Sequence, residues 1–510
     1  MKSTNPSTSI TRRDFLNWTA AGTTGLALAP LSKVCGERSA AAGRPNVILC
    51  MSDDQGLGDV GYNGHPRLKT PALDAMSEAG IRFERFYSGS PVCSPTRGAC
   101  LTGRHPDRYG IFNANVGHMP AREITLAEML KPLGYRTGHF GKWHLGTLTK
   151  TVKEYRGGDA AQVEHYSPPW TNGFDTCFST EVAVATWDPM VEARHDQHYW
   201  TGPDQYETDA ASMRGDSSRV VMDRALAFIQ QAAKSNTPFF AVIWLHSPHT
   251  PVVAGEPFLR MYEDVPEGRR AYYACLTALD QQIGRLRSEL RRLGVADDTM
   301  LWFCSDNGPA GSAHPHGRAN MHGSTIGLRG RKGSLYEGGI RVPALLEWPR
   351  MIDTPRSVDV PCTVTDYVPT VRAAVGLPPI DDRPIDGEDL MPLIRGRATR
   401  RDKPMGFHLH ESQALINERY KLIRPHTKGR IMRQYGGYAA RDLPADEATW
   451  KQLAPRGRGY ELYDLLADPR ETRNLAGEEP KVVAAMTREM EAMMASWQRS
   501  NQGADYKPSR

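Results

Sequence analysis

Four apolar runs of strand length, each breaking off into a cluster of polar side chains, constrain this chain more than any other feature. Residues 46–51 end in Ser52-Asp53-Asp54-Gln55-Gly56, and 136–140 in Gly141-Lys142-Trp143-His144-Leu145-Gly146. Residues 239–245 end in His246-Ser247-Pro248-His249-Thr250-Pro251, and 300–304 in Ser305-Asp306-Asn307-Gly308. Runs that stay apolar, instead of alternating, mark strands buried on both faces, as in parallel sheets covered by helices. Ligands of such sheets bind outside the carboxyl ends of the strands. The four polar clusters are therefore expected to converge on one site.

Helix signals lie between the runs. Thr70 as cap, Pro71 at the first position and Gly80 at the end frame a helix over 71–79. Thr125 and Glu128 make a capping box for another, closed by Gly134. Longer helices are predicted over about 216–233 and 268–293. The alternation is that of an α/β domain with a largely parallel sheet. After residue 398 the texture changes. Strand-like pieces at 405–410, 414–424 and 460–465 precede a helix over 480–498. That helix puts Val482, Met486, Met490, Met493 and Trp497 on one face. The organisation read from this is a main domain over 45–398 and a small C-terminal α+β subdomain over 399–510. Within the latter, 426–458 is rich in Arg, Gly and Pro and reads as an irregular excursion.

The first 42 residues carry Arg12-Arg13-Asp14-Phe15-Leu16, a weakly apolar stretch and then Ala40-Ala41-Ala42. That is the pattern of a secretory signal, and the paired arginines make it a twin-arginine type. The expectation is a bacterial protein exported to the periplasm or beyond. Much of the formal +5 charge sits in this segment, so the remainder offers no charge-based case for a nucleic-acid partner. No apolar run reaches the roughly 18–20 residues of a membrane helix, so stable membrane insertion is not expected. The eight cysteines are scattered without a CxxC pair, and their spacing assigns no disulfides.

Asp53, Asp54, Asp306 and Asn307 offer only hard oxygen donors, a set suited to Ca²⁺ or Mg²⁺ over zinc or copper. Pro95 reads as a helix start, which puts Cys93 at a helix N-terminus, where anions are favoured.

The string Cys93-Ser94-Pro95-Thr96-Arg97, followed by Leu101-Thr102-Gly103-Arg104, resembles the first signature of the formylglycine-dependent sulfatases, in the arylsulfatase A-like and N-acetylgalactosamine-6-sulfatase-like branch. The stretch 134–144 resembles the second signature, and 328–339 the segment bearing a second sulfate-binding lysine. Leu462-Tyr463-Asp464-Leu465, Asp468-Pro469, Glu471 and Asn474-Leu475 are similar to the start of that family's C-terminal helix. Cys100 and Phe140 depart from the usual residues without replacing a chemical group.

The resemblance implies an alkaline-phosphatase-like α/β sandwich with a large, mostly parallel central sheet and a small C-terminal antiparallel sheet. It implies sulfate ester hydrolysis with formylglycine made from Cys93 by a separate maturation enzyme. Asp53, Asp54, Asp306, Asn307 and modified residue 93 would hold the metal, Ca²⁺ before Mg²⁺. Arg97 would hold the nucleophile, and Lys142 and Lys332 the sulfate. His249, preferred to His246, would protonate the leaving alcohol, and His144 would help expel sulfate. The implied substrate is a sulfated glycan. Trp187, His314, His316, Arg318 and His322 are candidate substrate contacts. Two rivals stand beside this reading: a phosphonate monoester or phosphodiester hydrolase of the same fold, and a non-catalytic sulfated-glycan binder.

Overall fold

Strand β1, Asn46–Ser52, is buried along its whole length and runs through the middle of a ten-stranded sheet. The computed structural model describes residues 43–190, 197–311, 322–425 and 459–506. The proposed export signal, the 426–458 segment, His314, His316 and Arg318 lie outside the described residues. Arg44–Arg510 forms one compact unit. Among the described residues no helix is long and apolar enough to cross a membrane.

The other strands of the large sheet are β2 (Ile81–Phe83), β4 (Arg136–Lys142), β5 (Thr176–Thr180), β6 (Trp200–Gly202) and β7 (Gln205–Tyr206), then β8 (Phe239–Trp244), β9 (Thr299–Ser305), β10 (Ala344–Glu347) and β11 (Arg356–Val358). The order is β11-β2-β10-β9-β1-β8-β4-β5-β6-β7. The central neighbours β9, β1, β8, β4 and β5 are mutually parallel, whereas β10 and β6 run antiparallel to their neighbours. Two short strands, β3 (Phe86–Tyr87) and β12 (Cys362–Thr363), pair separately.

Period-two geometry splits β1 between two cores. Val47, Leu49 and Met51 face Phe240, Val242, Trp302 and helix α2 (Cys93–Thr102). Ile48 and Cys50 face the helices Ser217–Lys234 and Glu267–Arg292. Both faces being apolar, the strand reads as a continuous hydrophobic run, and the sheet is a layer between two helical layers.

The C-terminal sheet consists of β13 (Met405–Leu409), β14 (Ser412–Ile416), β15 (Tyr420–Arg424) and β16 (Glu461–Asp464), all antiparallel. One face takes Met486 and Met490 of the helix Pro480–Asn501, and the other packs on Tyr87, Val92 and Ile340. Buried Lys421 lies 3.1 Å from Glu337 and 2.9 Å from Glu471, a further tie across this junction.

Three local expectations change. The piece 414–424 is two strands, because Asn417 turns the chain by accepting from the Arg419 and Tyr420 amides through Oδ1. Thr70 does not cap helix α1 (Pro71–Ala79): its hydroxyl accepts from the Gly61 amide and donates to Asp74. Helix α2 starts two residues before Pro95, at Cys93. Proline is tolerated there because the first-turn amides have no intrahelical acceptors.

Candidate active site

The strand ends of β1, β8, β4 and β9 are four contiguous positions of the sheet, which brings their polar clusters together. The Asp53 amide donates to Ser247 O at 3.0 Å and the Asp306 amide to Ser52 O at 3.1 Å, locking three of these ends. Asp54 turns with φ 67, and its amide donates to Asp306 Oδ1 at 3.1 Å. Gly141, at φ +102, lets β4 pass against β8, because a Cβ there would meet Trp244 O at 1.9 Å. Lys142 follows it directly into the site.

Cys93, first residue of α2, places Sγ 3.5 Å from Asp53 Oδ1. Ligand atoms of Asp53, Asp54, Cys93 and His249 all lie within 4.8 Å of one another. Lys142 Nζ is 2.6 Å from Asp53 Oδ2, and Lys332 Nζ is 2.5 Å from Asp54 Oδ1. Arg97, wholly buried, spans Asp306 Oδ2 at 2.7 Å, Asp53 Oδ2 at 3.5 Å and Lys142 O at 2.9 Å. Asn307 donates through Nδ2 to Asp54 Oδ1 at 2.7 Å, and its Oδ1 is buried without a protein partner. Three carboxylates and this orphaned amide oxygen fit a hard divalent cation.

The electrostatics are those of crowded, desolvated charge. Burial opposes ionisation of Asp53, but Lys142, His249 and Arg97 outweigh it and hold its carboxyl well below the usual range. Burial and then Asp53 push Asp306 up to about 6. Burial, with Asp306 and Asp53, pushes the Cys93 thiol far up, so the unmodified side chain stays protonated. Desolvation lowers His249 to about 4 and His246 to about 3, and takes His144 well below its ordinary value. The rings differ in access: the His249 side chain is 25% exposed, whereas His144 and His246 are buried. His249 Nε2 lies 3.8 Å from Asp54 Oδ2. His246 Nε2 is engaged by the Tyr199 hydroxyl at 3.1 Å.

Residues 45–377 match the family model described as Sulfatase. The chain belongs to the sulfatase family. This sulfatase is 33% identical over 380 residues to human N-acetylgalactosamine-6-sulfatase, covering 71% of this chain and 68% of that one. Its fold is shared with a crystal structure of i-CgsB in complex with k-i-k-neocarrahexaose, at TM-score 0.72 and 22% identity over 90% of this chain and 94% of that chain. It is also shared with the phosphonate monoester hydrolase of Agrobacterium radiobacter, at TM-score 0.59 and 20% identity over 89% and 96% of the two chains.

Of the candidate substrate contacts in the sulfatase, two fall among described residues. Trp187 is half-buried, packed on Gly255 and edge-on to Phe258. Its neighbour Thr186 is bonded to the Pro251 and Val253 carbonyls, so it flanks the loop carrying His249. His322 packs edge-on against Tyr272, whose hydroxyl donates to Asp59. Sequence reasoning missed Asn115, Arg156 and Glu181 around His144 and Tyr199 on His246. None of these sits in a spaced motif; the chain brings them in from loops and strand edges far away in sequence.

Proposed function

We propose that this sulfatase removes sulfate from a sulfated carbohydrate, using formylglycine made from Cys93 and a divalent cation, Ca²⁺ before Mg²⁺. The observation that carries the reading is Cys93 Sγ, 3.5 Å from Asp53 Oδ1, at the centre of a cup lined by Arg97, Lys142 and Lys332. A buried, protonated thiol is a poor nucleophile and a soft partner for hard oxygen donors. The hydrated aldehyde of formylglycine would supply an oxygen nucleophile, and Asp53, Asp54, Asp306 and Asn307 would hold a cation that supplies positive charge to the site when bound.

The chain's own residues do the rest. Arg97, fixed between Asp306 and Asp53, orients residue 93. Lys142 and Lys332 exchange their aspartate partners for sulfate oxygens, and their attraction strengthens as charge builds in the transition state. His249 Nδ1 is engaged by Thr250 O at 2.7 Å, so Nε2 is the atom that gives its proton to the leaving alcohol oxygen. Anionic sulfate beside the ring favours its protonated form. His144 accepts the proton from the hydroxyl on residue 93 as sulfate departs.

Similarity to an N-acetylgalactosamine-6-sulfatase supports a sulfated sugar as substrate, with Trp187 as a proposed contact. The paired arginines 12 and 13 support twin-arginine export, which carries folded protein and so requires the maturation enzyme to act before export.

The test is co-expression with a formylglycine-generating enzyme, followed by the mass of the tryptic peptide containing residue 93 and by turnover assays. Aldehyde in place of thiol, with release of sulfate from aryl and sugar sulfates, is expected. Unmodified Cys93 despite an active maturation enzyme overturns the mechanism. Faster turnover of aryl phosphate diesters moves the assignment to phosphoester hydrolysis, and glycan binding without sulfate release moves it to a binding protein.

A further inference from the structure

Asn115 joins the two ends of the chemistry without belonging to any motif. Its backbone sits at φ 62, a region that asparagine enters more readily than other side chains with a Cβ. Its amide donates to the hydroxyl of Ser94, the residue after Cys93, at 3.4 Å. Its side-chain oxygen lies 2.7 Å from His144 Nε2. Arg156 straps this loop down, donating to Asn115 O at 3.2 Å, Gly117 O at 3.3 Å and Glu181 Oε1 at 2.8 Å. The His144 amide in turn donates to Glu181 O at 2.9 Å. The other ring nitrogen, Nδ1, is buried and has no protein partner.

We propose that Asn115 is a positioning residue that fixes His144 as the Nε2–H tautomer, leaving Nδ1 as the only proton acceptor of the ring. The physical reason is that an amide oxygen can only accept, so the proton of a neutral imidazole must lie on Nε2. Burial, and then the neighbours Lys142, Arg97 and Arg156, favour the neutral ring over the charged one, against Asp53. Two left-handed residues, Asn115 and His144 at φ 58, face one another across this bond. This proposal rests on the reading of His144 as the base.

The tautomer is read directly by long-range ¹⁵N–¹H correlation on ¹⁵N-histidine protein with Cys93 unmodified, the His144 signals being those lost in His144→Gln. Wild type is expected to show Nε2–H. Asn115→Gly, which keeps the left-handed backbone, is expected to give a tautomer mixture, and Asn115→Asp to restore Nε2–H. In matured enzyme Asn115→Gly should lower kcat by about 10–100-fold with KM little changed, and Asn115→Asp should recover most of it. Nδ1–H in wild type, or a tautomer indifferent to Asn115→Gly, overturns the proposal. If the tautomer follows Asn115 but matured wild type releases no sulfate, the positioning stands and the functional reading of this site falls instead.

Discussion

The Arg97 guanidinium lies 2.7 Å from the Asp306 carboxylate with neither side chain exposed to solvent. The pair joins helix α2, which carries Cys93, to the end of β9, which carries Asp306 and Asn307. Helix start and strand end are thus registered by one charge-assisted bond.

Removing one partner of such a pair leaves the other buried and uncompensated, at a cost of about 3–5 kcal/mol. Arg97→Met is expected to lose that much stability by urea denaturation, and to lose activity in the matured enzyme. An unchanged midpoint would mean that Asp306 is neutral in the folded protein.

Chelation tests the proposed cation site. Three carboxylates brought close together favour the native state only when their charge is met. A cation at 100 times its dissociation constant should add ~2.7 kcal/mol to stability. Chelator is expected to lower the melting temperature, and Ca²⁺ to restore it better than Mg²⁺. A melting curve indifferent to both ions would remove the metal from the proposal.

Gly141→Ala tests how Lys142 is delivered. The added Cβ would meet Trp244 O at 1.9 Å, on the neighbouring strand, and the backbone φ of +102 is also unfavourable for alanine. Pushing β4 from β8 displaces Lys142 from Asp53. The expected result is a drop in melting temperature with loss of turnover in whatever protein remains folded. Wild-type kinetics would show that the strand end tolerates the shift.

Asp216 accepts from the Ser218 and Arg219 amides at the start of the helix Ser217–Lys234. Burial raises its carboxyl from 3.8 to about 7. A raised folded value means that its contribution to stability is fully present below pH 3.8 and is lost as pH rises through about 7. Asp216→Asn keeps an effective cap without the charge. The variant should match wild type near pH 4 and exceed it by at least ~1 kcal/mol at pH 8, since a tenfold change in proton affinity is ~1.4 kcal/mol. Parallel stability profiles across that range would overturn the assignment.

The sequence by itself determined the layers of this sulfatase and the residues proposed to react. Uninterrupted apolar runs at 46–51 and 300–304 read as strands covered on both faces, which puts the polar clusters after them at the carboxyl edge. Cys93, Arg97, Lys142 and Lys332 were legible because their neighbours form dense, specific strings. The tertiary structure alone decided the partnerships: that β9, β1, β8 and β4 stand side by side, that Lys332 reaches Asp54 across 278 positions of chain, and that His246 is held by Tyr199 while His249 faces the aspartates. Asn115 and Arg156 were invisible beforehand for the same reason. Local patterning encodes which face of an element is buried, but a hydrogen bond between loops depends on where the whole packed sheet brings them, and no short spacing records that.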